Sequence, residues 1–221
     1  APKEQVDGFL DYRAKIDEGN TPYVRTGIKA LDKLLGGGMV QDGLYILAGR
    51  PGMGKSALGV SIAEHVAQTV GKVDYFSLEM SREQIMARRL SSLSKVDSKL
   101  ILMDTLTAGE YKRMIEATRK AAATPFYCTN GRAQSAQRIT SIARAGRDVK
   151  LVVVDHFGLI LRPGKRQDAD ESREIANALK RLAQSLNQPV LCLAQLNRQN
   201  EQRTDKRPTL ADLRATGAME E

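Results

Sequence analysis

The most specific chemical pattern in the sequence is a run of eight residues from Gly49 to Ser56. The run reads Gly49, Arg50, Pro51, Gly52, Met53, Gly54, Lys55 and Ser56, and it fits the pattern G-x-x-x-x-G-K-[ST]. Its glycines allow backbone N–H groups to turn inward around phosphate oxygens, which a following helix N-terminus also attracts. The Lys55 ammonium is expected to reach the β- and γ-phosphates of a bound nucleoside triphosphate, and the Ser56 hydroxyl to bind Mg²⁺. The run therefore predicts a nucleoside triphosphate site rather than a plain glycine-rich turn.

A second anchor for the metal is indicated further along the chain. Leu151–Val154 is an apolar run, and Asp155 follows it directly. A carboxylate at the tip of a buried strand can hold Mg²⁺ directly or through water. Because an aspartate at the end of a strand is common, this indication depends on its combination with the glycine-rich run.

Two further polar residues stand at the ends of predicted strands. Glu79 ends the strand that comes after the glycine-rich run, and parallel pairing is expected to place this tip beside that run. There Glu79 can polarise the water that attacks the γ-phosphate, although a carboxylate just before Ser81 can also serve as a helix cap. Gln195 ends the last predicted strand, where its amide can contact the γ-phosphate and report its loss to the following loop.

Composition and charge narrow the class of protein. The chain has 221 residues, of which 42% are apolar and 27% charged, which is ordinary for one folded domain. No apolar stretch approaches the roughly 20 residues that a membrane span needs, so no membrane association is expected. The net charge is +8, from 34 Lys and Arg against 26 Asp and Glu, which either attracts polyanions or only aids solubility. Cys128 and Cys192 match no metal spacing and are expected to be buried thiols in a reducing compartment.

The elements that must position these residues alternate along the chain. Short apolar runs predict five buried strands: Leu44–Ala48, Val73–Leu78, Phe126–Thr129, Leu151–Val154 and Val190–Ala194. Amphipathic stretches predict the helices Ser56–Val70, Ser81–Leu93, Thr107–Ala123, Gln134–Ala145 and Glu171–Leu186. Capping boxes begin two of them, Ser81 with Gln84 and Thr107 with Glu110. Strands that alternate with helices predict a doubly wound α/β fold with a parallel sheet.

Three other segments leave their roles open. The segment Lys3–Gly19 predicts a helix with one apolar stripe, which needs a partner surface on its own domain or on a neighbouring subunit. The polar segments 162–173 and 197–207 each follow a strand end. They are either solvated loops or functional ones, because open α/β sheets bind ligands at that edge.

Longer segments around these residues resemble the DnaB-type replicative helicases, which are hexameric motors with a RecA-like fold. The segments are TGIKALDKLLGG (26–37), GRPGMGKS (49–56), FSLEMS (76–81), LVVVDHFGLI (151–160), LAQLNRQNEQRTDKRPTLADLR (193–214) and ATGAMEE (215–221). The combination of SLEMS, QLNR and RPTLADLR is much more specific than the glycine-rich run. Recombinases of the RecA and RadA type share the fold and the nucleotide site but lack this combination.

The resemblance implies a RecA-like P-loop NTPase fold, with a mostly parallel central sheet flanked by helices. Residues 1–22 would form a linker helix and turn that packs on the adjacent subunit. Residues 23–221 would form the RecA-like ATPase motor domain without its C-terminal part. In the family that part adds further strands and an arginine finger, which is offered to the neighbour's ATP.

The resemblance also implies a role for each matching residue of the nucleotide site. Lys55 and Ser56 would bind phosphate and Mg²⁺, and Glu79 would be the catalytic base. Asp155 would be the Walker B carboxylate, and Gln195 the sensor of the γ-phosphate.

Other matching positions bear on the nucleotide and on DNA. Arg88 matches a family arginine near the nucleotide, and Arg214 and Gly217 fall in a loop that holds the backbone of single-stranded DNA. The sequence departs from the family at Ala215, where an acidic residue is usual, and at His156, where Tyr is common. The imidazole of His156 is expected to be a packed neighbour rather than a pH-sensitive contact.

The function implied by the resemblance is an ATP-dependent 5′–3′ replicative DNA helicase motor. It would use ATP and Mg²⁺ at the subunit interfaces of a homo-hexamer and move on single-stranded DNA. Primase and a helicase loader would bind through parts outside this chain, in the cytoplasm of a bacterial cell, for a bacterial or a phage protein. The alternatives are a RecA/RadA-type recombinase or a circadian-clock-type ATPase, and, without enzymatic activity, a nucleotide-gated assembly module.

Overall fold

The computed structural model describes residues 2–17, 21–131, 134–160 and 169–196. Two short strands, β1 (Tyr23–Val24) and β2 (Met39–Val40), pair antiparallel and form a small ribbon that is separate from the main sheet. The apolar runs did not predict this ribbon, because each of its strands has only two residues.

Five longer strands of the described chain form the main sheet. They are β3 (Leu44–Gly49), β4 (Lys72–Ser77), β5 (Phe126–Asn130), β6 (Val149–Asp155) and β7 (Val190–Gln195). Their order across the sheet is β3-β7-β6-β4-β5, and every neighbouring pair is parallel. The predicted α/β class and all five predicted strands are therefore confirmed. Since the strands run in one direction, their carboxyl ends lie along one edge.

Helices connect and flank these strands. In the described chain they are α1 (Pro2–Asp17), α2 (Lys29–Leu34), α3 (Lys55–Thr69), α4 (Arg82–Ser94), α5 (Ser98–Met103), α6 (Ala108–Ala123), α7 (Ala136–Ala145) and α8 (Ala169–Leu186). Both predicted capping boxes are formed, at the start of α4 and at the start of α6. The short helix α5 was not predicted from the amphipathic pattern.

The two faces of the sheet carry separate apolar layers. One layer packs the odd-numbered positions of β6, such as Leu151 and Val153, against Ile62 and Val66 of α3. The other layer packs the even-numbered positions, such as Val152 and Val154, with Cys192 and residues of α7 and α8. Period-two alternation places successive side chains on opposite faces, so a strand buried on both sides must be apolar throughout. Of the two free thiols, Cys192 is buried as expected and Cys128 is half-buried.

A buried ion pair joins α3 to α4 beneath the second of these helices. Arg89 Nε donates to Glu64 Oε2 at 2.6 Å, and the two side chains are only 3% and 5% exposed. The guanidinium also donates to Ala121 O and Thr124 Oγ1, both at 3.3 Å, and lies 4.1 Å from the centre of the Phe126 ring. The ion pair therefore connects four elements, α3, α4, α6 and β5.

Replacing Arg89 by Ala should lower the free energy of unfolding by about 3–5 kcal/mol, because the Glu64 carboxylate would stay buried without its cation. Urea unfolding followed by circular dichroism measures this loss. The matched control is Arg119→Ala, which removes an exposed arginine of α6 and should change the free energy by less than about 0.5 kcal/mol. An Arg89→Ala variant as stable as the control would contradict a structural role for the pair.

Helix α1 presents its apolar stripe to the outside. Val6, Phe9 and Leu10 are 58%, 61% and 59% exposed, so the stripe is not covered by the described part of this chain. Among the described residues, none of the helices has the length and apolar character to cross a membrane.

Candidate nucleotide-binding site

The predicted phosphate loop connects the carboxyl end of β3 to the first turn of α3. Gly52 and Gly54 adopt φ of 76° and 86°, a left-handed conformation that side chains rarely tolerate. A Cβ at Gly49 would lie 3.2 Å from Lys55 Cγ, so the stem of the lysine uses the space that this glycine leaves. The glycines of the pattern thus allow the chain to turn tightly around its own lysine.

The first turn of α3 keeps its backbone donors available for an anion. The N-cap is Gly54, and no side chain there accepts from the helix N–H groups. Such uncapped N–H groups, with the positive end of the helix dipole, form an anion-binding position. The Lys55 ammonium donates to the Arg50 carbonyl at 3.1 Å and so lies across the loop, while Ser56 is half-buried in the same turn. A cavity of about 350 Å³ borders the loop.

Asp155 is placed at the carboxyl end of the central strand β6, where it is 1% exposed. Its Oδ2 accepts from the Tyr75 hydroxyl at 2.8 Å. Its Oδ1 is buried and accepts no hydrogen bond from the part of the chain that the structure describes. A buried carboxylate oxygen without a donor fits a cation or its bound water, and oxygen ligands are the ones Mg²⁺ prefers. Asp155 and the Ser56 hydroxyl therefore have the right chemistry for the predicted metal.

Tyr75 supports Asp155 from the neighbouring strand β4. Burial raises the pKa of the Tyr75 hydroxyl well above its ordinary value, and the adjacent Asp155 carboxylate raises it further. The positive charge of Arg88 acts on the Tyr75 pKa in the opposite direction, so Arg88 lies within electrostatic reach. Arg88 also borders a cavity of about 360 Å³ with Ala57 and Ser61 of α3. The predicted nucleotide arginine thus faces the helix that begins at the phosphate loop.

Glu79 lies on a tight turn just beyond β4. The Leu78 N–H donates to the Asp155 carbonyl at 2.7 Å, which ties this turn to the end of β6. The Ser77 hydroxyl donates to the Met80 carbonyl at 2.8 Å and closes the turn around Glu79. The Glu79 side chain is 58% exposed, and the cap of α4 is provided by Ser81 with Gln84. The helix-capping alternative for Glu79 therefore does not apply.

The order of the strands corrects one expectation about Glu79. The tip of β4 was expected to neighbour the phosphate loop, but β7 and β6 lie between β3 and β4. After β3 the chain passes through α3 and then enters β4, which pairs with β6 and not with β3. Strands that follow one another along the chain need not be neighbours in a doubly wound sheet. Glu79 consequently lies beside the tip of β6, on the same edge of the sheet as the phosphate loop but not directly next to it.

Gln195 is the strand-end residue that lies directly beside the phosphate loop. It pairs in register with Gly49, where the loop begins. The following Leu196 N–H donates to the Gly49 carbonyl at 3.2 Å and continues this pairing. The exposed Gln195 side chain thus stands on the strand between the loop and Asp155.

Two of the predicted site residues, Arg214 and Gly217, lie outside the described residues. So do the whole polar segment 197–207 and residues 162–168 of the other polar segment, whereas its residues 169–173 form the start of α8 and not a loop.

The hydrogen bond from the Tyr75 hydroxyl to Asp155 was not predicted, because the sequence indicates the strand of Tyr75 only as an apolar run. His156 was expected to be a packed neighbour, and its side chain is only 12% exposed. Its Nε2 also lies 3.6 Å from Glu79 Oε2, a contact that was not predicted. The sequence contains no signal for the hydrogen bond of Tyr75 with Asp155. For the contact of His156 with Glu79, the only signal is that His156 directly follows Asp155.

Comparisons with known proteins show which family this chain matches. The model of a protein family described as the DnaB-like helicase C terminal domain matches residues 23–221. The replicative DNA helicase DnaB of Synechocystis sp. is 34% identical over 220 residues, which cover 97% of this chain and 25% of that protein. The replicative DNA helicase DnaB of Buchnera aphidicola is 37% identical over 214 residues, which cover 91% of this chain and 46% of that protein.

Solved structures give the same relationship. One of them, described as an ATPase domain, superposes with a TM-score of 0.86 at 27% identity, covering 97% of this chain and 79% of that one. A DnaB-like replicative helicase, whose structure was determined with regard to its interactions with primase, superposes with a TM-score of 0.81 at 25% identity. That match covers 95% of this chain and 52% of the other.

The chain spans between a quarter and a half of the length of the two replicative helicases from Synechocystis and Buchnera.

Proposed function

Because the chain belongs to the family of DnaB-like helicase C-terminal domains, we propose that it is the ATP-driven motor of a replicative DNA helicase. The observation that supports this most directly is that four neighbouring strands, β3, β7, β6 and β4, end on one edge of the sheet. Gly49 and Gln195 are paired, and the turn that carries Glu79 is hydrogen-bonded to Asp155. A phosphate loop, a metal carboxylate and a base on one edge are what phosphoryl transfer to water requires.

In this proposal each group has one task at the γ-phosphate. The α3 N–H groups bind the phosphate chain, and Lys55 turns from the Arg50 carbonyl to a γ-phosphate oxygen. Ser56 and Asp155 would hold Mg²⁺, and the ion would supply positive charge that offsets the negative charge of the triphosphate. Glu79 accepts a proton from the attacking water, and its exposure at the edge leaves room for that water. Arg88 adds positive charge from the side of α4.

Gln195 would connect the nucleotide to DNA. Its amide would contact the γ-phosphate and lose that contact after hydrolysis, which changes the position of the chain that follows β7. Arg214 and Gly217 lie further along that chain and would hold phosphates of single-stranded DNA. Contacts to phosphate carry no base information, so they suit 5′–3′ movement along any sequence.

The assembly proposed for this motor is a homo-hexamer. The exposed Val6, Phe9 and Leu10 of α1 form an apolar stripe that a second copy of the chain could cover. ATP would then lie between subunits, with an arginine of the neighbour completing the charge around the γ-phosphate. Primase and a helicase loader would bind through parts outside this chain, and the site of action would be the bacterial cytoplasm.

The test is made on the full-length protein with forked DNA. We expect ATP-dependent strand displacement that starts from a 5′ single-stranded tail, and phosphate release that single-stranded DNA stimulates several-fold. With a non-hydrolysable nucleotide, the particle mass should correspond to six copies.

Two other outcomes would contradict the proposal. A helical filament without strand displacement would identify a recombinase-type ATPase. Nucleotide-dependent assembly without DNA-stimulated phosphate release would identify a gated assembly module.

A further inference from the structure

We propose that His156 is a positioning residue that orients the Glu79 carboxylate. This inference rests on the proposed role of Glu79 as the base. His156 Nε2 lies 3.6 Å from Glu79 Oε2, a separation that a small side-chain rotation converts to a hydrogen bond. The imidazole is 12% exposed and the Glu79 side chain 58%. The ring is therefore fixed by its surroundings, whereas the carboxylate has more freedom to rotate.

The hydrogen bond on the other side of the ring determines which nitrogen carries the proton. The Gly158 N–H donates to His156 Nδ1 at 3.2 Å. A neutral imidazole that accepts at Nδ1 carries its proton at Nε2, because only one ring nitrogen is then a donor. The N–H of Nε2 therefore faces Glu79, and its partner is the ionised carboxylate that a general base requires.

The backbone around His156 keeps the ring in this place. The Leu159 N–H donates to the His156 carbonyl at 3.0 Å, and the next residue of this turn, Phe157, is fully buried. A Cβ at Gly158 would lie 3.1 Å from His156 Cε1 and 3.3 Å from Nδ1. Because Gly158 has no side chain, the imidazole can lie close to the Gly158 backbone and accept from its N–H.

Glu79 gains from such a partner because its turn gives it little other support. Among the described residues, the Glu79 side chain forms no ion pair or hydrogen bond other than the approach of His156. An exposed glutamate samples several rotamers, and holding a base in one orientation raises the rate of the step that it serves. A donor fixed at the tip of β6 aims the carboxylate toward the edge where Asp155 and the phosphate loop lie. Orienting Glu79 in this way is expected to raise kcat and to leave the affinity for the nucleotide unchanged.

A pair of amide variants separates the two ends of the imidazole. His156→Asn keeps an acceptor near Nδ1 for Gly158 but removes the donor toward Glu79, whereas His156→Gln keeps an N–H near the position of Nε2. In the full-length protein, His156→Asn should lower kcat for ATP hydrolysis about tenfold with KM for ATP unchanged within about twofold. His156→Gln should restore kcat to within about threefold of the wild type. The control His65→Asn replaces the other histidine and should leave both constants unchanged.

Two further variants keep the inference testable if His156→Asn folds poorly. Gly158→Ala pushes the ring by a few tenths of an ångström and should also lower kcat without changing KM. In a Glu79→Gln background, His156→Asn should cause no additional loss, because residues that act as a unit are not additive. Normal kcat in His156→Asn, or a loss that His156→Gln does not restore, would overturn the inference. Normal kcat in Glu79→Gln would instead contradict the base on which it rests.

Discussion

Replacing Glu79 by Gln should reduce ATP hydrolysis by about 10²–10⁴-fold while leaving nucleotide binding intact. The amide has the size of the carboxylate but cannot accept the proton of the attacking water. Glu79 lies on the closed turn between Ser77 and Met80, outside the phosphate loop and outside α4, so the change should not disturb the phosphate contacts. Single-turnover hydrolysis and equilibrium binding of a fluorescent ATP analogue measure the two quantities separately.

The control for Glu79→Gln is Glu83→Gln. Glu83 is a fully exposed carboxylate in the first turn of α4, and its pKa is lowered by the hydrogen bond with the Ser81 side chain. Its neutralisation should weaken the helix start slightly and leave hydrolysis unchanged. If Glu79→Gln hydrolyses ATP as fast as Glu83→Gln does, another group activates the water.

Replacing Lys55 by Ala should abolish measurable hydrolysis, with a loss of at least about 10²–10³-fold, and should weaken ATP binding as well. In the proposed mechanism, the lysine ammonium is the cation that the phosphate loop provides for the γ-phosphate. The fold should not suffer, because the described structure gives the ammonium only one hydrogen bond, to the Arg50 carbonyl. A lysine in the first turn of α3 also opposes the helix dipole, so its removal should leave the unfolding free energy unchanged or slightly raised.

Calorimetric titration with ATP and Mg²⁺, together with thermal unfolding, checks both halves of this expectation. The matched control is Lys112→Ala, which removes an exposed lysine of α6 and should alter neither binding nor stability. A Lys55→Ala variant that loses activity because it unfolds would contradict the account, since the residue would then serve the fold and not the phosphate.

Local patterns predicted the parts of this molecule that local physics determines. The strand β6 was recognisable because a strand buried on both faces must be apolar at every position. The starts of α4 and α6 were recognisable because Ser81 and Thr107 each stand three residues before a side chain that completes a capping box.

Contacts between distant residues were not predictable in the same way. The pairing of Glu64 with Arg89 leaves no local trace, because each residue alone fits the polar side of an amphipathic helix. The insertion of β7 and β6 between β3 and β4 depends on which strands pair, and a list of strands does not contain that information. The same limit concealed the Tyr75 hydroxyl on Asp155 and the approach of His156 to Glu79.

The central claim is that the tips of β3, β7, β6 and β4 serve one triphosphate, and a crystal structure with Mg²⁺ and a non-hydrolysable ATP analogue tests it most directly. The account predicts a γ-phosphate in contact with Lys55, a metal ion held by Ser56 and Asp155, and Gln195 beside the γ-phosphate. It also predicts one water that bridges Glu79 to the γ-phosphate, with hydrogen bonds of about 2.6–3.2 Å. A triphosphate seated on the loop with Glu79 and Gln195 both out of reach of its γ-phosphate would contradict the account.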